Sequence, residues 1–259
     1  MKLAEALRIL DSLAPLRYAE AWDNVGLLVG DPEAEIARVL VTVDYSAEVA
    51  EEARAMGASL VVAYHPPIFA AVKRVPHDAL WADAVRRGIA LYTMHTALDS
   101  ARGGTNDVLA DACGIGARRP IKPAGPGEPE DVGQGRIGDA PGSSRRDLVA
   151  RLKSAFALDH VMVAGSLDLP ARRIAVMAGA GGSLLEAAIQ AGADVFVTGE
   201  LRHHDAVSAA RLGVLAVATL HSNSERAGVR AFGDRLRGAL GPTVDVRSSE
   251  RDADPFVFA

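Results

Sequence analysis

The chain has 259 residues, 49% of them hydrophobic, and a formal net charge of −5, enough for one large or two small domains with sizeable cores. The acidic balance argues against direct nucleic-acid binding. The single cysteine, Cys113, excludes an intrachain disulfide and suits a reducing compartment, and no apolar run approaches the roughly 20 residues of a membrane span, so a soluble cytoplasmic protein without membrane contact is expected.

Residues 2–13 read as an amphipathic helix stopped near Pro15; charges at Glu5 and Arg8 set it apart from a signal peptide's apolar core. AWDNVGLLVGD, residues 21–31, reads as a turn followed by a short edge strand. Val39–Val43 is a continuous valine-rich run, the pattern of a strand covered on both faces. Ser46 can cap the helix that follows, and Gly57 ends it. Leu60–Ala63 is a second buried strand. It stops at Tyr64-His65-Pro66-Pro67, because two prolines cannot continue a central strand. His65 is thereby placed at the carboxyl end of a strand, where open α/β sheets build their sites. A helix near Asp78–Arg87 leads to strand Ile89–Met94, then to His95-Thr96-Ala97-Leu98-Asp99 and a helix at about Asn106–Cys113.

In residues 118–143 glycine and proline dominate and apolar periodicity is lost, so a linker or irregular crossing is expected. GQGRIG within it lacks the Lys-Ser/Thr ending of a phosphate loop and reads as structural. Ser144 with Asp147 can cap a helix over Arg145–Phe156. Strand Ile174–Ala178 leads into Gly179-Ala180-Gly181-Gly182, which could hold an anion or simply form a tight turn. Ser183 and Glu186 form a capping box for a helix that Gly192 ends. Strand Asp194–Thr198 reaches Gly199-Glu200, followed by His203, His204 and Asp205. Strand Val214–Thr219 then delivers His221, with Glu225 one turn later.

The chain carries this α/β unit twice, from Ala37 to Asp99 and from Arg172 to Glu225. Without a gap, Arg38 falls on Arg173, Gly57 on Gly192 and Val62 on Val197; at a shorter offset His95 falls on His221 and Asp99 on Glu225. Two similar α/β lobes with mixed sheets flanked by helices are therefore expected. The boundaries read as 1–117 for the first lobe, 118–143 for the linker and 144–259 for the second, with the C-terminal residues packing back on the first. Each copy ends a buried strand with His-x-x-x-carboxylate, and residues i and i+4 share one helix face, so His221 and Glu225 can point at one ion. Five of the seven histidines lie at the ends of equivalent strands. Imidazole with carboxylate suits zinc, manganese, iron or cobalt, and no cysteine cluster points to a structural zinc. Taken singly, each residue also has an ordinary structural reading. His77 and His160 read as surface residues, Trp81 and Phe69 as packing.

WDNVGLLVG, YHPPIF, HTALD, GQGRIGDAP, TGELRHHDA, the His221–Glu225 segment and DPF stand in an order that resembles the NIF-three-like family of dinuclear-metal-centre hexameric proteins, often labelled GTP cyclohydrolase 1 type 2 homologues. The resemblance covers nearly the whole chain. It implies a homohexamer, and two divalent transition-metal ions per chain in the cleft between lobes. The family's ligands carry over onto His65, Asp99, His221 and Glu225, with Asp99 and Glu225 as bridges. Glu200 and His204 match pocket residues beside the metals and would shuttle the proton. The chain departs from the commonest family pattern in having Tyr64 where many members have histidine; a phenol ligand from Tyr64, His95 moving in, or one weak site are the alternatives. The 118–143 stretch is too short for the inserted domain that some members carry. The leading expectation is a metal-dependent hydrolase of a nucleotide-like or phosphorylated small molecule, with GTP suggested by the family label. The alternative is a non-enzymatic metal-binding scaffold or regulatory interaction protein.

Overall fold

A computed structural model describes residues 1–257; residues 258 and 259 of the expected second lobe lie outside the described residues. The first elements are α1 (Leu3–Leu13), β1 (Gly26–Val29), β2 (Arg38–Thr42), α2 (Ala47–Met56), β3 (Leu60–Ala63), α3 (Leu80–Arg87), β4 (Ala90–Thr93) and α4 (His95–Ser100). Then come α5 (Thr105–Cys113), β5 (Arg118–Arg119), β6 (Lys122–Pro123), β7 (Gly133–Gln134), β8 (Arg136–Ser144), α6 (Arg145–Ala155), β9 (Met162–Ala164) and β10 (Pro170–Ala180). The chain continues through α7 (Leu185–Gln190), β11 (Val195–Glu200), α8 (His203–Arg211), β12 (Leu215–Ala218), α9 (His221–Leu240) and β13 (Asp245–Ser248). Two compact units result. One takes Met1–Ala101 with Val229–Ala253, the other Arg102–Gly228 with residues 254–257.

The first unit is built on a sheet ordered β1-β4-β3-β2-β13, parallel except for the antiparallel edge strand β1. The central strands are apolar on both faces, and alternation decides what each residue meets. Val39, Val41 and Val62 pack with Leu3 and Leu10 of α1 and Phe232 and Leu236 of α9. Leu40, Val61 and Leu91 pack on the other face against Val49 and Ala53 of α2 and Ala84 of α3. Ser46 Oγ accepts from Val49 N at 3.3 Å and caps α2 as expected.

The second unit has the order β5-β8-β10-β11-β12-β9, with β10, β11 and β12 parallel and β8 and β9 antiparallel to their neighbours. Ile174, Val176, Val195 and Val217 face Leu109 of α5 and Leu148 and Leu152 of α6, while Ala175, Phe196 and Ala216 face α7 and α8. The two sheets share one core order: an antiparallel edge strand (β1 or β9), then the parallel run β4-β3-β2 or β12-β11-β10.

Residues 118–143, expected as a linker, carry β5, β6, β7 and most of β8. Their organiser is Arg136, which is buried. It donates from Nε to Asp107 Oδ1 at 2.7 Å and from Nη1 to the carbonyls of Gly133 and Gly135 at 2.6 and 2.8 Å. GQGRIG is thus a structural turn around a guanidinium, as read. The Ser183 capping box does not form. A 3-10 turn starts two residues earlier, at Gly181, whose N–H donates to Thr198 Oγ1 at 3.0 Å, so Ser183 sits inside the turn and α7 begins at Leu185 without a side-chain cap.

Candidate metal centre

In the first unit the site residues stand at the carboxyl ends of parallel strands, the position that open α/β sheets use for ligands. His65 follows β3, His95 follows β4 as the first residue of α4, and Asp44 lies just past β2. His65 Nδ1 is 2.9 Å from Asp44 Oδ1, and His95 Nδ1 is 2.9 Å from Asp23 Oδ1. Tyr64 Oη donates to Asp99 Oδ1 at 2.7 Å, with both residues buried. The ring centroids of Tyr64, His65 and His95 lie 4.9 to 5.3 Å apart. Burial by itself would raise the Asp23 carboxyl; hydrogen bonds from His95 and Thr96 outweigh it and hold Asp23 below the usual carboxylate range.

In the second unit α9 begins at His221, directly after Leu220, whose φ of 71° lies in the left-handed region. That conformation costs a non-glycine residue about 1–2 kcal/mol, and it turns the chain from β12 into the helix. His221 Nε2 is 3.2 Å from Glu225 Oε1, and His221 Nδ1 is 3.2 Å from Glu200 Oε1. Glu225 is buried and Glu200 is half exposed. The backbone makes room for this pair. A Cβ on Gly179 would sit 2.5 Å from Glu225 Oε1 and 3.2 Å from His221 Nε2, and the φ of 69° there favours glycine. Gly179 N donates to Ser224 Oγ at 2.8 Å, which fixes the glycine beside α9. Further along the Gly179–Gly182 loop, a Cβ on Gly182 would lie 3.0 Å from Asp205 Oδ2.

The donor geometry suits a divalent ion. Two ligands bonded to one metal at about 2.1 Å, at angles between octahedral and tetrahedral, have donor atoms roughly 3.0–3.4 Å apart. His221 Nε2 and Glu225 Oε1 meet that requirement at 3.2 Å. A carboxylate on the Nδ1 of a histidine leaves Nε2 for a metal and fixes the ring; His65 and His95 both have that arrangement. The described residues thus offer the donor types that a transition metal takes, His65 in the first unit and His221 with Glu225 in the second.

His204 stands exposed in the first turn of α8, its ring centroid 5.3 Å from that of His203. Phe69, expected in packing, is instead 56% exposed, 6.2 Å from the equally open Trp22, because the prolines at 66 and 67 carry the chain off the sheet before it. Trp81 does pack against the core of the first unit. Sequence reasoning missed Asp23 and Asp44. In the sequence Asp23 reads only as part of a turn, and each acid meets its histidine only when separate strands come together.

A profile of the Duf34/NIF3 family (NGG1p interacting factor 3) matches residues 1–255. The chain is 35% identical to NIF3-like protein 1 of Drosophila melanogaster, over 99% of this chain and 89% of the relative. It is 30% identical to a GTP cyclohydrolase 1 type 2 homolog of Clostridium perfringens, over 100% of both chains. Among solved structures, a hypothetical protein of Staphylococcus aureus matches with a TM-score of 0.90 at 28% identity, covering 100% of this chain and 99% of that one.

Proposed function

The chain belongs to the Duf34/NIF3 family, and on that premise we propose that it is a metal-dependent hydrolase of a nucleotide-like or phosphorylated small molecule. Its cofactor would be two divalent transition-metal ions per chain, zinc, manganese, iron or cobalt. His65, Asp99, His221 and Glu225 would hold them, Asp99 and Glu225 as bridging carboxylates. The observation that carries this is the 3.2 Å approach of His221 Nε2 to the buried Glu225 carboxylate, together with the glycine cradle that keeps both atoms clear. Bound ions of this kind polarise a substrate and lower the pKa of water.

The chain's own residues supply the rest. Glu225 is held in a water-poor place by the first two turns of α9. Glu200, 3.2 Å from His221 Nδ1 and 54% exposed, orients that ring and is open to solvent on its other side. Glu200 and His204 are the proposed proton carriers, since both are within reach of water and neither is committed to the core. GTP is the first substrate to try, because a relative's name carries it. A cytoplasmic setting fits the one buried thiol. The test is to load the protein with each metal in turn and follow formate and phosphate release from GTP and other nucleotides. Turnover that disappears in His221→Ala and under chelation supports the reading; turnover unchanged in His221→Ala refutes it.

A second reading, a non-enzymatic scaffold assembled as a homohexamer, is favoured by the exposed Trp22 and Phe69, at 61% and 56%. Aromatic pairs left open to water mark contact surfaces. Size-exclusion chromatography of Trp22→Ser tests that surface: a smaller assembly assigns the pair to contacts between copies, and an unchanged one removes this support for the second reading.

A further inference from the structure

Position 64 carries a phenol, where many members of the family it resembles have an imidazole and others a tyrosine, and the phenol is committed elsewhere. Tyr64 Oη donates a hydrogen bond to Asp99 Oδ1 at 2.7 Å. Both residues are buried, so the hydroxyl is spent as a donor to Asp99 and is not turned to a metal.

His95 has the opposite character. Its Nδ1 lies 2.9 Å from Asp23 Oδ1. An ionised carboxylate only accepts, so Nδ1 carries the proton and Nε2 is the nitrogen left for a metal. Asp23 is itself fixed: its side chain is fully buried, and Oδ2 accepts from Thr96 N at 3.0 Å and Thr96 Oγ1 at 2.5 Å. His65 repeats the pattern with Asp44. The two rings stand 5.3 Å apart at 78°. Two imidazoles on one ion, with metal–nitrogen bonds of about 2.1 Å and a roughly tetrahedral angle, place their centroids about 5 Å apart.

We propose that His95 is a metal ligand in this chain, sharing one ion with His65 in the role a second imidazole at position 64 would have, and that Asp23 is the residue that positions it, an inference that rests on the metal-centre reading above. Tyr64 then serves the other carboxylate, holding Asp99 in place. Two carboxylate–imidazole pairs on adjacent strand ends would make the first unit a metal subsite in its own right.

The test is a Co²⁺ titration of the full chain stripped of metal, read by visible absorption and by elemental analysis after desalting. The unaltered protein takes two equivalents. His95→Ala takes one, and the absorption band of the lost equivalent disappears. Asp23→Asn, which keeps the side chain's shape and its capacity to bond Thr96, takes two, with one bound about 10–100-fold more weakly and the other unchanged; a general loss of structure would weaken both. Asp23→Asn also decides the matter where His95→Ala fails to fold. Two equivalents of undiminished affinity in both variants would overturn the assignment of His95 and leave the metal centre standing. No Co²⁺ bound by the unaltered protein would overturn the centre itself and this assignment with it.

Discussion

Tyr64 and Asp99 lie 35 residues apart, yet the phenol donates a 2.7 Å hydrogen bond to the carboxylate in a place closed to water. A buried carboxylate that loses a donor bears a desolvation penalty of about 1–3 kcal/mol. Tyr64→Phe should therefore destabilise the metal-free protein by about that amount in urea unfolding. With metal bound the loss should shrink, because a cation on Asp99 takes over the compensation. An equal loss in both forms would remove Asp99 from the ligand set.

Gly179 lies against both His221 and Glu225. Its missing Cβ leaves the space in which Glu225 Oε1 and His221 Nε2 meet. Gly179→Ala forces the carboxylate away and strains a left-handed backbone, and should weaken zinc binding by about tenfold or more by calorimetry. Unchanged affinity would show that Glu225 does not bind from its observed position.

Arg136 tests the glycine-rich turn of the second unit. Its buried guanidinium holds Asp107 and two backbone carbonyls. Removing one partner of a buried ion pair costs about 3–5 kcal/mol, so Arg136→Ala should lower the unfolding midpoint accordingly. A variant within experimental error of the parent would mean that the turn stands without it.

Cys113 is fully buried in α5, and burial pushes its thiol up to about 12. Only the thiolate reacts, so a disulfide reagent at pH 8 should leave native protein unmodified and label it after denaturation. Fast labelling of native protein would mean that α5 opens readily.

Much of the central scaffold is legible in the sequence. Strand β3 spans Leu60–Ala63 as read, and Ser46 and Ser144 cap their helices, because these features are written in local apolar runs and short-range hydrogen bonds. The i, i+4 spacing of His221 and Glu225 also put their side chains together correctly. What stayed hidden was non-local. Asp23 reaches His95 across 72 residues and Asp44 reaches His65 across 21, with no pattern in the chain to join them. The glycine-rich stretch 118–143 gave no strand period because its few buried apolar residues, Ile121, Ile137 and Ala140, are scattered among glycines, and its extended segments are held by ladder bonds to β10 and by the Arg136 network.

The most direct test of the central claim is metal content per chain. Untagged protein, purified without chelator, would be measured by elemental analysis beside His221→Ala. About two equivalents of a transition metal, reduced in the variant, is the result expected of a dinuclear centre. Less than a tenth of an equivalent in the parent, with no uptake on adding zinc, manganese, iron or cobalt, would contradict it.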